Sequence, residues 1–185
     1  MKRTLAVVLT RLQNLKLKLF RKVDFDYRGE NKFNSNSVAY SPTDIFTTQY
    51  IARLLLGKGR VLDVGCGKGL LMYRLFISSI TIDGIEINPK LAQIAKDNFA
   101  KLGCKSNVTC VSAVDFSEYS RYDAIILYNP FDEEILRKFI SCLKIQNFHG
   151  SLFYINSVYL HLFDCHKKLQ HKNDVWGNDV WQIFF

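Results

Sequence analysis

A chain of 185 residues is about one domain, and 48% hydrophobic against 23% charged residues is the balance of a globular protein with a sizeable core. No apolar run reaches the roughly 18 residues of a membrane-spanning helix, and five cysteines without a Cys-x-x-Cys pair do not suggest a disulfide scaffold. They read as reduced thiols of a cytoplasmic protein. The net charge of +8 is local: residues 1–22 hold seven of the 25 basic residues and no acid, leaving 18 against 17 elsewhere, so general nucleic-acid affinity is a weak inference.

In residues 4–22, Leu5, Val8, Leu9, Leu12, Leu15 and Leu19 recur at three- and four-residue steps, predicting an amphipathic helix with a basic opposite face. It has three readings. It packs on the domain or on a second copy, it attaches to an anionic membrane surface or other polyanion, or it is a cleaved targeting segment. Residues 24–42, with Gly29, Asn34-Ser35-Asn36-Ser37 and Pro42, read as a surface loop. Ser41 or Thr43 is the expected cap of a helix running to about Leu56, which Gly57 stops. Residues 1–57 thus form a basic helix, a loop and a lid helix, and residues 58–185 the main domain.

From there strands and helices alternate. Strands are predicted at Arg60–Val64, Ile80–Ile85, Val108–Ser112, Asp123–Tyr128 and Gly150–Ile155. Helices are predicted at Gly69–Ser78, Pro89–Leu102 (closed by Gly103) and Asp132–Leu143, with a helical turn at Asp115–Tyr119. Val158–Leu169 reads as a short helix or a strand, and a Trp176-Gly177-Asn178-Asp179 turn precedes a last strand at Val180–Phe185. The pattern specifies an α/β fold: a doubly wound, mostly parallel sheet of about seven strands with a C-terminal antiparallel hairpin and an N-terminal helical extension.

The first of these strands runs into a glycine turn, Val61-Leu62-Asp63-Val64-Gly65-Cys66-Gly67-Lys68-Gly69. A dinucleotide fingerprint would need glycine at position 70, where Leu70 stands, and a P-loop would need serine or threonine where Gly69 follows Gly67-Lys68. Asp-x-Gly-x-Gly-x-Gly after a strand resembles the cofactor loop of class I S-adenosylmethionine-dependent methyltransferases, and the resemblance covers about residues 55–156. It implies the Rossmann-like fold of that family and S-adenosyl-L-methionine as cofactor. Gly65, Gly67 and Gly69 would offer backbone amides to its carboxylate, Cys66 is a small residue that fits the turn, and Asp63 would favour the cationic end. Glu86, ending the next strand, would accept from both ribose hydroxyls, and Ile87 would cover one face of the adenine. Asp115 either accepts from the adenine amino group or caps a helix, with Phe116 packed nearby.

The resemblance also places Asn129-Pro130-Phe131 at the transferable methyl group. The Asn/Asp-Pro-Pro-Tyr/Phe motif of enzymes that methylate planar or amide nitrogens is similar, although one proline stands here where that motif has two. Asn129 would accept from the target NH2 and Phe131 stack on its plane; otherwise the segment is a strand-ending turn. The wording Asn-Pro-Phe-Asp-Glu-Glu resembles a group of small bacterial methyltransferases. Tyr154 and Asn156 alternate along the next strand and either line the acceptor pocket or serve packing and turn formation, while Tyr40 and Thr43 would close the pocket as a lid. Asp132 and Glu133 read as first-turn helix acids rather than catalytic bases. His161, His166 and His171 with Cys165 do not have zinc-like spacing, so no metal is expected. Methyl transfer to an unidentified acceptor, nitrogen favoured, is the leading reading. The alternative is a non-catalytic cofactor-binding subunit that tethers a partner through the basic N-terminal helix.

Overall fold

The computed structural model describes residues 2–26, 40–171 and 179–185, without the side chains of Lys2, Arg3 and Ala6. The polar stretch around Gly29 and Asn34–Ser37, and the turn expected at Trp176-Gly177-Asn178, lie outside the described residues.

The N-terminal part gives α1 (Lys2–Arg21) and α2 (Ile45–Leu54). Alternation follows: β1 (Val61–Val64), α3 (Leu70–Phe76), β2 (Ile82–Glu86), α4 (Pro89–Leu102), β3 (Val108–Cys110), β4 (Ala124–Leu127), α5 (Glu133–Ile145) and β5 (Ser151–Ile155). The chain closes with β6 (Lys167–His171) and β7 (Val180–Phe184), and two short 3-10 helices sit at Tyr119–Arg121 and Leu160–Phe163. The strands form one sheet in the order β3-β2-β1-β4-β5-β7-β6. β1 to β5 run parallel, and β7 lies antiparallel between β5 and β6. The order reverses between β1 and β4, so crossovers diverge there and leave a crevice at the carboxyl ends of the strands.

β1, β4 and β5 are buried along their whole length, which is why they read as near-continuous apolar runs rather than alternating ones. One core layer, including Ile51, Met72, Leu75 and Phe99, lies under α2, α3 and α4. The other joins α5 to the C-terminal strands through Phe139, Leu143, Tyr154, Phe163 and Ile183. Local chemistry sets the ends of the helices. Asn88 caps α4 ahead of Pro89, Gly103 closes it at φ 65°, and Asp132 accepts the Ile135 amide ahead of Glu133 and Glu134 in the first turn of α5.

Two sequence expectations are corrected. The cap of α2 is Asp44, not Ser41 or Thr43: its carboxylate accepts from the amides of Phe46 at 3.0 Å and Thr47 at 2.9 Å. The helical turn expected at Asp115–Tyr119 falls at Tyr119–Arg121 instead. There the buried Tyr119 hydroxyl donates to the Ala113 carbonyl at 2.6 Å, and Gln146, the C-cap of α5, accepts the Tyr119 amide and donates to the Phe116 carbonyl. These bonds hold residues 113–119 flat on the domain. The helix α1 packs on the domain through Thr10, Asn14 and Leu17.

Candidate active site at the carboxyl ends of the strands

The crevice has a volume of about 730 Å³, a size suited to one nucleoside-sized ligand. Its floor is the turn after β1. Asp63 is only 4% exposed and, among the described residues, its carboxylate has no hydrogen-bond or ion-pair partner. Burial, and then the neighbouring Glu86, pushes its carboxyl up to about 7. A buried acid left without a cation by its own fold, facing a crevice, awaits one from a ligand.

Glu86 is the second wall. Its Oε2 accepts the Gly67 amide and its Oε1 the Asn88 amide, both at 2.8 Å. Burial raises its carboxyl, while the amides of Asn88, Gly67 and Ile87 oppose the rise. Each oxygen keeps a lone pair for a ligand hydroxyl. Ile87 and Asp115 also line the crevice, and Asp115 is exposed on its rim.

The loop itself differs from expectation. The amides of Gly65 and Cys66 both donate to the Ile85 carbonyl, at 2.9 and 3.0 Å, and that of Gly67 goes to Glu86. They are therefore not free for a ligand carboxylate; the loop offers a bare floor instead. At Gly67 the absence of a side chain is required, because a Cβ there would run into the Tyr40 ring. Gly69 does not line the crevice. It caps α3 in the left-handed region at φ 83°, where an added Cβ would come within 2.6 Å of Phe99. Cys66 is buried beside both acids, which together with burial keep its thiol protonated and inert.

Asn129, Pro130 and Phe131 line the opposite wall, after β4. Asn129 adopts φ 41°, a left-handed conformation that asparagine tolerates better than other non-glycine residues, and its Oδ1 accepts the Tyr154 hydroxyl at 3.0 Å. Asn156, at φ 52° beyond the end of β5, reaches the crevice as well. Two expected site residues do not. Tyr154 is buried and stands behind Asn129 instead of lining the pocket, while Phe116 is packed in the core against Tyr119 and Tyr122.

Tyr40 and Thr43 form the lip. The Tyr40 hydroxyl donates to the Phe25 carbonyl at 2.9 Å, and its ring lies 5.3 Å from the Lys68 ammonium. Sequence reasoning missed Lys68 as a structural anchor. It is 1% exposed, its Nζ donates to the Asp26 carbonyl at 2.5 Å, and the Asp24 carboxylate lies 3.6 Å away. Arg74 was missed too: it donates to the Thr43 carbonyl and to Gln13 of α1, and burial lowers its pKa to about 10 against the pull of Asp44 and Tyr40. The only sequence signal for either was a cation placed where the apolar pattern left no solvent-facing position. His161 sits 3.5 Å from Glu133 and His171 pairs with Gln182, both outside the crevice lining.

Residues 61–145 match the family model of the methyltransferase domain. Over that stretch, a little under half of its length, the chain is similar to this family. A curated relative, the ribosomal protein L11 methyltransferase of Chromobacterium violaceum, is 31% identical over 90 residues. The matched stretch spans 48% of this chain but only 30% of that protein. Among solved structures, an RNA methyltransferase from Salinibacter ruber in complex with S-adenosyl-L-homocysteine superposes with a TM-score of 0.64 at 16% identity, covering 78% of this chain and 94% of that one. A Pyrococcus horikoshii protein gives 0.62 at 11% identity, covering 74% and 86%. At such identities the likeness speaks for the fold.

Proposed function

We propose that the chain transfers a methyl group from S-adenosyl-L-methionine to a nitrogen acceptor. The observation that carries this reading is Asp63, a carboxylate 4% exposed and unpartnered among the described residues, beside Glu86 on a crevice floored by side-chain-free backbone. Those residues fit the group. Asp63 suits the cationic amino-acid end, Glu86 the ribose hydroxyls, and Ile87 and Asp115 the adenine. When bound, the cofactor supplies an electrophilic methyl carbon on a sulfonium that is already an excellent leaving group.

The protein therefore needs to align and to exclude water rather than to supply a strong base. Asn129 has one Oδ1 lone pair engaged by Tyr154 and one left for an acceptor N–H, so the tyrosine aims the amide. Phe131 and Pro130 give a planar acceptor an apolar wall. Among the described residues the crevice lining offers no histidine or lysine to act as a base, which suits a neutral amine acceptor. The names of the relatives point to both protein and RNA acceptors. Five free thiols suit the reducing cytoplasm.

Purified chain should be incubated with methyl-labelled cofactor and with separate protein, RNA, lipid and small-molecule fractions of cell lysate. Label entering one fraction, with stoichiometric S-adenosyl-L-homocysteine, supports the reading. Tight cofactor binding without product in any fraction would favour a non-catalytic subunit.

A further inference from the structure

The helix α1 meets the domain through its polar side. Thr10 and Asn14 are 4% and 3% exposed; Thr10 Oγ1 accepts the Ile45 amide, and Gln13 Oε1 accepts from Arg74, both at 3.0 Å. At about 100° per residue, Leu5, Val8, Leu12, Leu15 and Leu19 fall on the opposite face. They are 46–68% exposed. A continuous apolar stripe along a helix of roughly 30 Å, turned away from the core, is a docking surface rather than packing.

The charge beside the stripe says what it docks on. Lys16 borders one side; Arg11 and Lys18 border the other, the latter 3.5 Å from Asp26. The helix contains no acid at all. A second copy of the helix would set these cations against their own kind in either orientation, with no carboxylate on either helix to relieve them. An anionic bilayer accepts both features together, because headgroups pair with the cations while leucines enter the acyl boundary.

We infer that α1 lies in the plane of an anionic lipid membrane and seats the protein there through Leu5, Val8, Leu12, Leu15 and Leu19. Val7 of the same helix lines the crevice, so docking brings the crevice mouth beside the lipid surface. The seating does not depend on the reaction run in the crevice.

The test is flotation of the full chain with vesicles, with no cofactor present. The chain should float with phosphatidylglycerol vesicles and not with pure phosphatidylcholine, and added salt should weaken the binding. Leu12→Glu with Leu15→Glu should cut the bound fraction roughly tenfold or more at an unchanged melting temperature, since both side chains are exposed. Arg11→Glu with Lys16→Glu should do the same. The inference is overturned if the chain ignores phosphatidylglycerol or if the leucine variant binds it as well as the parent. It is also overturned if sedimentation without lipid shows a dimer that Leu12→Glu dissociates, or if the charge variants lose only RNA binding.

Discussion

Glu86, at the end of β2, reaches the turn after β1, and its Oε2 accepts the Gly67 amide at 2.8 Å while its Oε1 accepts the Asn88 amide at the same distance. One carboxylate thus ties the glycine loop to the start of α4 and still faces the crevice. Glu86→Gln keeps the shape but turns one acceptor into a donor opposed to an amide N–H. It should lower stability by about 1–3 kcal/mol and cofactor affinity about tenfold or more. Thermal unfolding and calorimetry measure the two; unchanged affinity would remove Glu86 from the cofactor site.

Asp63 gives a pH signature. Its carboxyl is raised from 3.8 to about 7 by burial and by Glu86, so the stability it contributes is complete below the lower value and is lost as pH rises through the upper one. Asp63→Asn should therefore stabilise the ligand-free chain above about pH 8, by on the order of 1–3 kcal/mol, and change it little in acid. A cationic ligand favours the ionised form, so parent affinity should climb as pH rises to about 7 and then level off. The asparagine variant should bind weakly, with a flat profile. A parent profile that is equally flat would show that Asp63 does not face the ligand's charge.

The Tyr154 hydroxyl donates to Asn129 Oδ1 at 3.0 Å from behind the pocket wall. Asn129→Ala should lower kcat roughly a hundredfold or more while cofactor affinity changes little. Tyr154→Phe leaves the amide in place but unaimed, so its kcat should fall less, about tenfold, again with affinity kept. Equal falls in kcat and affinity would move Asn129 out of the acceptor site.

Much of this was legible because the central strands are buried on both faces. β1 and β4 read as near-continuous apolar runs, and the acid and glycines that break the first run are the site itself. What failed was non-local. Hydrophobic periodicity turns the leucines of α1 inward by default, and nothing near them in sequence says that Thr10 meets the Ile45 amide or that Gln13 meets Arg74. Lys68 is held by Asp24 and Asp26, which belong to a stretch read as an open loop. Phe116 and Tyr154 sit next to site residues in the chain, yet their side chains belong to the core. Adjacency in sequence did not imply a shared face.

Gly69 and Gly103 separate conformation from packing. Both lie in the left-handed region, at φ 83° and 65°, but an added Cβ meets Phe99 at the first and open space at the second. Gly103→Ala should cost about 1 kcal/mol, for backbone strain alone. Gly69→Ala should cost about 2–4 kcal/mol, because Phe99 must also move. Similar losses at the two sites by urea unfolding would contradict the packing seen around α3.

The most direct test of the account is titration of the purified chain with S-adenosyl-L-homocysteine by calorimetry, alongside Asp63→Asn and Glu86→Gln. The account predicts one binding site per chain, with affinity lost roughly tenfold or more in each variant. No binding by the parent, or binding that both variants leave intact, would contradict it.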